Sequence, residues 1–221
     1  MPQEIRTITL GGVNCYLVKT DTSYILIDTG WSFKRTALEK ELMSEGCKPG
    51  NLKLIILTHG DIDHTGNCAY LREKYGTETA MHSSESGVVE SGDMILSRKH
   101  RRIITRIVFK IVKLYGRLSK FGRFKPDLYI EDGYEFSGYG FDARVLLIPG
   151  HSNGSIGILT TDSDLFCGDL LTNKDKPVPF IIDDLADFNT SVEKLKSLDI
   201  NTVYPGHGKP FPMDLFIENN P

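Results

Sequence analysis

Short apolar runs dominate the first third of the chain and alternate with turn residues. EIRTITL (4–10), NCYLVKT (14–20) and SYILIDTG (23–30) are rich in Ile, Leu, Val, Thr and Tyr. Gly and Asp punctuate them, a pattern that predicts three strands. FKRTALEKELMSEG (33–46) has helical spacing and closes on a glycine suited to a C-terminal cap. LKLIILT (52–58) is almost continuously apolar and predicts a strand buried on both faces. A helix over 65–75 and a strand at TETAMH (77–82) follow.

The second part of the chain repeats the theme. FDARVLLIP (141–149), GSIGILTTD (154–162) and DLFCGDL (164–170) predict strands. FNTSVEKLKSL (188–198) predicts a helix with Asn189 as its cap, and NTVYPG (201–206) a last short strand. Two runs of strands, each interleaved with helices, imply two sheets facing each other with helices outside. The predicted class is α/β.

Residues 83 to about 126 break this pattern. Arg98 to Lys125 contains eleven Lys or Arg and no acidic residue. Ile103, Ile104, Ile107, Val108, Ile111, Leu114, Tyr115 and Leu118 recur at helical spacing, with Arg102, Arg106, Lys110, Lys113, Arg117 and Lys120 largely on the other side. A basic amphipathic helix or helix pair is expected, inserted into one domain spanning 1–221. It has three readings: a lid over a site, a contact with an anionic membrane surface, or ordinary packing with a solvated outer face.

Composition narrows the classes. The 221 residues suit one domain, and 40% hydrophobic with 25% charged is ordinary for a globular protein. A net charge of -3 advertises no nucleic-acid partner. No uncharged apolar run is long enough to span a membrane, and the start, MPQEIRTITLGG, lacks the features of an export signal. The four cysteines form no CxxC pair and are expected to be reduced and buried. A cytoplasmic location is the expectation.

The candidate chemistry is concentrated in LTHGDIDHTGN (57–67), directly after the apolar strand. In extended chain His59, Asp61 and Asp63 share one face. His64 breaks that parity, so a turn is expected there, with Gly60 and Gly66 making it easy. Nitrogen and oxygen donors converging from one loop suit a divalent metal. Three further candidates end apolar strands: His151 in LLIPGHSNGS, Asp169 in LFCGDLL and His207 in VYPGHGKP.

HxDxDH at 59–64, then GHSNGS, CGD and GHG in that order, resembles the metallo-β-lactamase-fold hydrolases. The resemblance runs from the ILIDTG turn, with Asp28, to GHG, and leaves out only 83–126. It implies a four-layer αββα sandwich of two mixed sheets with a two-metal site at one edge. By similarity His59, Asp61 and His151 would hold one ion, and Asp63, His64 and His207 the other. Asp169 would bridge them, and Asp28 would support the ligands from behind.

Asp61 departs from the family, whose usual residue there is histidine. It is either a ligand or an acceptor behind the ligands. Three carboxylates and two divalent ions with a bridging hydroxide sum to zero, whereas a histidine at 61 would leave +1. Carboxylate is the harder donor, so the implied pair of divalent ions is zinc, or iron or manganese.

The resemblance implies a metal-dependent hydrolase in which a hydroxide held between two ions, about 3.5–4 Å apart in such sites, attacks a small ester, thioester or lactone. A phosphodiesterase and a di-iron redox protein are the alternatives. The 14 residues after His207 leave no room for the extra C-terminal helical domain of glyoxalase II-type enzymes, which argues against a glutathione thioester. Asp63 and Asp169 are candidate proton acceptors. His82, Asn153, Tyr204, Arg102 and Arg106 are candidate contacts for a small substrate, acidic and partly apolar. Oligomeric state is not legible.

Overall fold

A computed structural model describes residues 3–99 and 122–220. The chain builds two mixed sheets. In the first, β1 (Glu4–Leu10), β2 (Val13–Lys19), β3 (Tyr24–Ile27), β4 (Leu52–Ile56), β5 (Glu78–Met81) and β6 (Leu128–Tyr129) lie in sequence order. The first three pair antiparallel and the rest parallel. In the second, β7 (Ala143–Leu147), β8 (Ile156–Thr160), β9 (Asp164–Asn173), β11 (Thr202–Gly208) and β12 (Phe211–Pro212) form a path, and β10 (Pro177–Pro179) pairs with β9. β9 and β11 run parallel.

Alternation along the strands sorts the side chains into layers. Tyr16, Val18, Ile25, Ile27, Leu54 and Ile56 of the first sheet meet Val145, Ile156, Ile158 and Phe166 of the second in one buried cluster. Cys15, Leu17, Leu26 and Ile55 point the other way. They pack with Leu38 and Leu42 of α1 (Arg35–Ser44) and Leu71 and Tyr75 of α3 (Cys68–Tyr75). Leu146, Leu159 and Leu165 likewise meet Phe188, Val192 and Leu195 of α5 (Leu185–Lys196) and Phe216 of α6 (Met213–Asn219). Strands apolar on both faces therefore produce the αββα order expected from the sequence. All four cysteines are free and buried. No helix among the described residues is long and apolar enough to cross a membrane.

Three local expectations change. The helix predicted over 65–75 is split into α2 (Ile62–Thr65) and α3. At the break, Asn67 Nδ2 donates to the carbonyls of Thr29 and Trp31, so the chain is pinned to the loop after β3. Gly66 is needed for that approach rather than for a turn: a Cβ there would lie 2.6 Å from Gly30 O and Ser32 N. The later helix starts at Leu185, not 188, because Asp184 caps it by accepting from Ala186 N and Asp187 N. Asn189 lies inside it.

The break at residue 83 is also less sharp than the pattern implies. α4 (Ser83–Ser91) buries Val88 and Val89 in the body of the fold. Most of the basic amphipathic run, with Arg102 and Arg106, lies outside the described residues.

Candidate metal centre

The predicted donors converge at one edge of the sandwich. His59 and Asp61 follow β4, and Asp63 and His64 belong to α2. His151 sits in the β7–β8 loop, Asp169 in β9 and His207 in β11. Their donor atoms form three overlapping triads, each within 4.8 Å: His59, Asp61 and His151; His59, His64 and Asp169; Asp63, His64 and His207.

Glycines let the strands come this close. Gly168 has φ +52, and a Cβ there would meet Thr58 Cβ and Oγ1 at 2.8 Å. A Cβ on Gly206 would lie 2.3 Å from Asp169 Oδ1 and 2.7 Å from His64 Cε1. The β11 bulge at Pro205 is held from the other sheet. Asn14 Nδ2 donates to Pro205 O and Gly208 O, both at 2.8 Å, and Tyr16 OH donates to Pro205 O at 2.6 Å.

Each imidazole is oriented by its outer nitrogen. His64 Nδ1 donates to Asp28 Oδ2 at 2.9 Å, and His207 Nδ1 to Gly12 O at 2.7 Å. His151 Nδ1 donates to Ile181 O at 3.0 Å. Thr58 Oγ1 donates to Asp28 Oδ2 at 2.8 Å, so its oxygen accepts from His59 Nδ1 at 3.0 Å. A neutral imidazole with its proton on Nδ1 carries a bare lone pair on Nε2. Four such lone pairs therefore face three carboxylates. Asp28, which has φ +59, serves two of the four rings.

This arrangement fits a divalent cation. His59 Nε2, His64 Nε2 and Asp169 Oδ1 are buried with no hydrogen-bond partner among the described residues. His64 Nε2 and Asp169 Oδ1 stand 3.2 Å apart, two acceptors facing each other. Only a proton or a metal ion between such groups removes their repulsion.

Without metal the cluster gathers protons. Burial opposes charge on His64, but Asp169, Asp63 and Asp28 outweigh it and push its pKa well above the usual value. Burial likewise opposes charge on His207, and hydrogen bonds to Asp169 and Asp63 still lift it to about 9. Burial and the neighbouring His64 charge hold His59 neutral. Burial raises Asp169, yet His64 and His207 keep it ionised, well below the ordinary carboxylate range.

Two side chains without a motif of their own complete the edge. Glu85 of α4 is fully buried; its Oε2 accepts from Gly60 N at 2.8 Å and its Oε1 from Gly154 N at 3.0 Å. It thereby ties the first ligand loop to the loop of His151. Gly60 is again a matter of space, since a Cβ would meet Val88 Cβ at 2.8 Å. Arg98, the first cation of the basic run, is 5% exposed and reaches Asp61 with Nη2, 2.7 Å from Oδ1 and 2.6 Å from Oδ2. Burial alone would raise the Asp61 pKa, but this guanidinium holds the carboxyl below the usual range.

The remaining candidates are not among the triad donors. His82 caps α4 by accepting from Ser84 N and pairs with Glu131 at 2.7 Å. Tyr204 packs in the inter-sheet cluster, 4.9 Å from the Phe166 ring. Asn153 donates its backbone N–H to Ser97 O at 2.8 Å.

The metallo-beta-lactamase superfamily model matches residues 8–207, which span every one of these donors. The chain belongs to the metallo-beta-lactamase superfamily. It is 28% identical over 204 residues to a beta-lactamase-like protein 2 homolog of Caenorhabditis elegans, covering 90% of this chain and 57% of that protein. It is also 28% identical over 172 residues to the hydroxyacylglutathione hydrolase GloC of Haemophilus influenzae, covering 76% of this chain and 71% of the other. Among solved structures, TTHA1623 in a di-iron-bound form superposes with a TM-score of 0.69 at 28% identity, covering 98% of each chain. The chain spans little more than half the length of the Caenorhabditis elegans protein, and its relatives in the superfamily include hydrolases.

Proposed function

We propose that this metallo-hydrolase cleaves a small ester, thioester or lactone with a partly apolar acyl group. The observation that carries the reading is the convergence of four imidazole Nε2 atoms on Asp169, with every Nδ1 committed to an acceptor behind it. Asp63, His64, His207 and Asp169 would hold one divalent ion, and His59, Asp61 and His151 would form the adjoining position. A divalent ion in such a donor set supplies a Lewis acid for a carbonyl oxygen and makes water a nucleophile near neutral pH. The similarity to a hydroxyacylglutathione hydrolase supports acyl transfer to water. The carboxylate-rich donors and the similarity to a di-iron protein support iron or manganese beside zinc.

The chain's own groups supply the rest. The Asp63 side chain is 16% exposed and that of Asp169 4%, so Asp63 is the better route for a proton to solvent. Phe180 lies 4.8 Å from the His207 ring, and Ile181, 67% exposed, follows it on the segment that orients His151. These side chains form an apolar wall for an acyl group. The basic run provides cations for an acidic substrate. Replacing Arg102, Arg106 and Lys110 by neutral residues raises KM for acidic substrates more than for neutral ones; equal effects count against that role.

The test is a panel of esters, thioesters, lactones and phosphodiesters, with elemental analysis of the untreated protein. His64→Ala and Asp169→Ala should each lower the rate by more than about 100-fold, beyond the 10–100-fold that losing a supporting group costs. Folded variants with wild-type rates would refute the site. Turnover of phosphodiesters alone would replace the acyl substrate by the phosphodiesterase reading.

A further inference from the structure

We propose that the Arg98 guanidinium takes the place of the first metal ion, so that the centre carries one tightly held divalent ion among Asp63, His64, His207 and Asp169. The inference rests on the metal-dependent reading and changes its stoichiometry.

Three contacts carry it. Arg98 Nη2 lies 2.7 and 2.6 Å from the two Asp61 oxygens and 3.2 Å from His151 Nε2. Asp61 and His151 are two of the three donors in the first triad. His151 Nδ1 already donates to Ile181 O, so its Nε2 has a single lone pair. That lone pair accepts from Arg98 or binds an ion, not both. The guanidinium is also clamped, because its Nη1 donates to His151 O at 2.6 Å. The flanking chain is anchored too: Asn153 N donates to Ser97 O, and Lys99 N donates to Asp183 Oδ2 at 2.7 Å.

Charge gives the same answer. Asp61, Asp63 and Asp169 sum to -3. One divalent ion and Arg98 supply +3, a neutral cluster. The aspartate at position 61 and the arginine at 98 thus compensate each other. The second triads lack such a cation among the described residues: the facing acceptors His64 Nε2 and Asp169 Oδ1 remain for the ion. His59 keeps a neutral Nε2 facing Asp169 Oδ2 at 3.8 Å, placed to accept a hydrogen bond at the edge of the single-ion site.

The experiment is titration of the metal-stripped full chain with Zn2+, read by native mass spectrometry and by competition with a chromogenic chelator. Wild type should bind one ion per chain, with any second ion at least about 100-fold weaker. Arg98→Met should bind two ions with affinities within about tenfold of each other. If Arg98→Met does not fold, Arg98→Ala is the second variant: it frees Asp61 and His151 Nε2 and should also take two ions. Two ions of comparable affinity in wild type would overturn the role of Arg98 and leave the metal-dependent reading standing. So would one ion in wild type and one in every folded variant. No binding by any form would overturn the metal centre itself.

Discussion

Asp28 and His64 are joined by a 2.9 Å hydrogen bond from imidazole Nδ1 to carboxylate Oδ2, and the same carboxylate reaches His59 through Thr58. One residue behind the centre therefore sets two of its four imidazoles. It also accepts from Thr58 N at 2.9 Å, so the carboxylate holds the end of β4 as well as the rings.

Asp28→Asn keeps the size of the side chain and tolerates its positive φ. It turns one acceptor oxygen into an NH2 group facing donors. Metal affinity is expected to fall by about 10–100-fold with the fold retained. Chelator competition measures the first and far-UV circular dichroism the second. Unchanged affinity would contradict the orienting role.

Glu85→Ala removes the shared acceptor of Gly60 N and Gly154 N and leaves two buried N–H groups without it. Each such group costs about 1–3 kcal/mol, so a loss of roughly 2–6 kcal/mol is expected in denaturant unfolding. Glu85→Gln keeps one acceptor oxygen and should lose less. A change below about 0.5 kcal/mol for the alanine variant, the level of an ordinary surface substitution, would show that the two loops do not depend on it.

Gly206→Ala introduces a methyl 2.3 Å from Asp169 Oδ1, closer than any real Cβ contact. Either β11 or the Asp169 side chain must shift. Metal binding should weaken by at least about tenfold, since a displaced ligand cannot be compensated by an outer group. Gly12, whose Cβ direction is open, is the wrong control because its φ is +83; Gly138, open and without a positive φ, is the right one. Equal effects of Gly206→Ala and Gly138→Ala would defeat the argument.

The pH dependence follows from His207. In the metal-free chain its pKa is lifted from 6.5 to about 9. A raised folded pKa means that the bound proton stabilises the fold. That stabilisation is complete below about pH 6.5 and is lost as pH rises through about 9. A metal ion must displace this proton and the one that the surrounding carboxylates hold on His64, so affinity should rise by at least about tenfold per pH unit up to about pH 9. Thermal unfolding of the stripped and loaded protein from about pH 6.5 to about pH 9.5 checks both halves. Metal affinity that falls with pH over this range would reverse the assigned sign.

Sequence alone determined the layer order and marked the candidate donors. LKLIILT is apolar at every position but Lys53 and Thr58, and such a strand requires cover on both faces. His59, Asp61, His151, Asp169 and His207 stand beside glycines, which permit close approach, and Asp63 and His64 follow in α2. Local patterns carry that information, since alternation and turn chemistry depend on neighbours in the chain. Tertiary structure alone decided which charges meet. Glu85 lies 25 residues from Gly60 and 69 from Gly154, and no periodicity marks it. Arg98 is one of eleven cations in a run where no spacing singles it out, yet it is buried against Asp61, 37 residues away. A charge carries no address in its own sequence. Its partner is set by the fold, which cannot leave a carboxylate such as Asp61 buried without a cation.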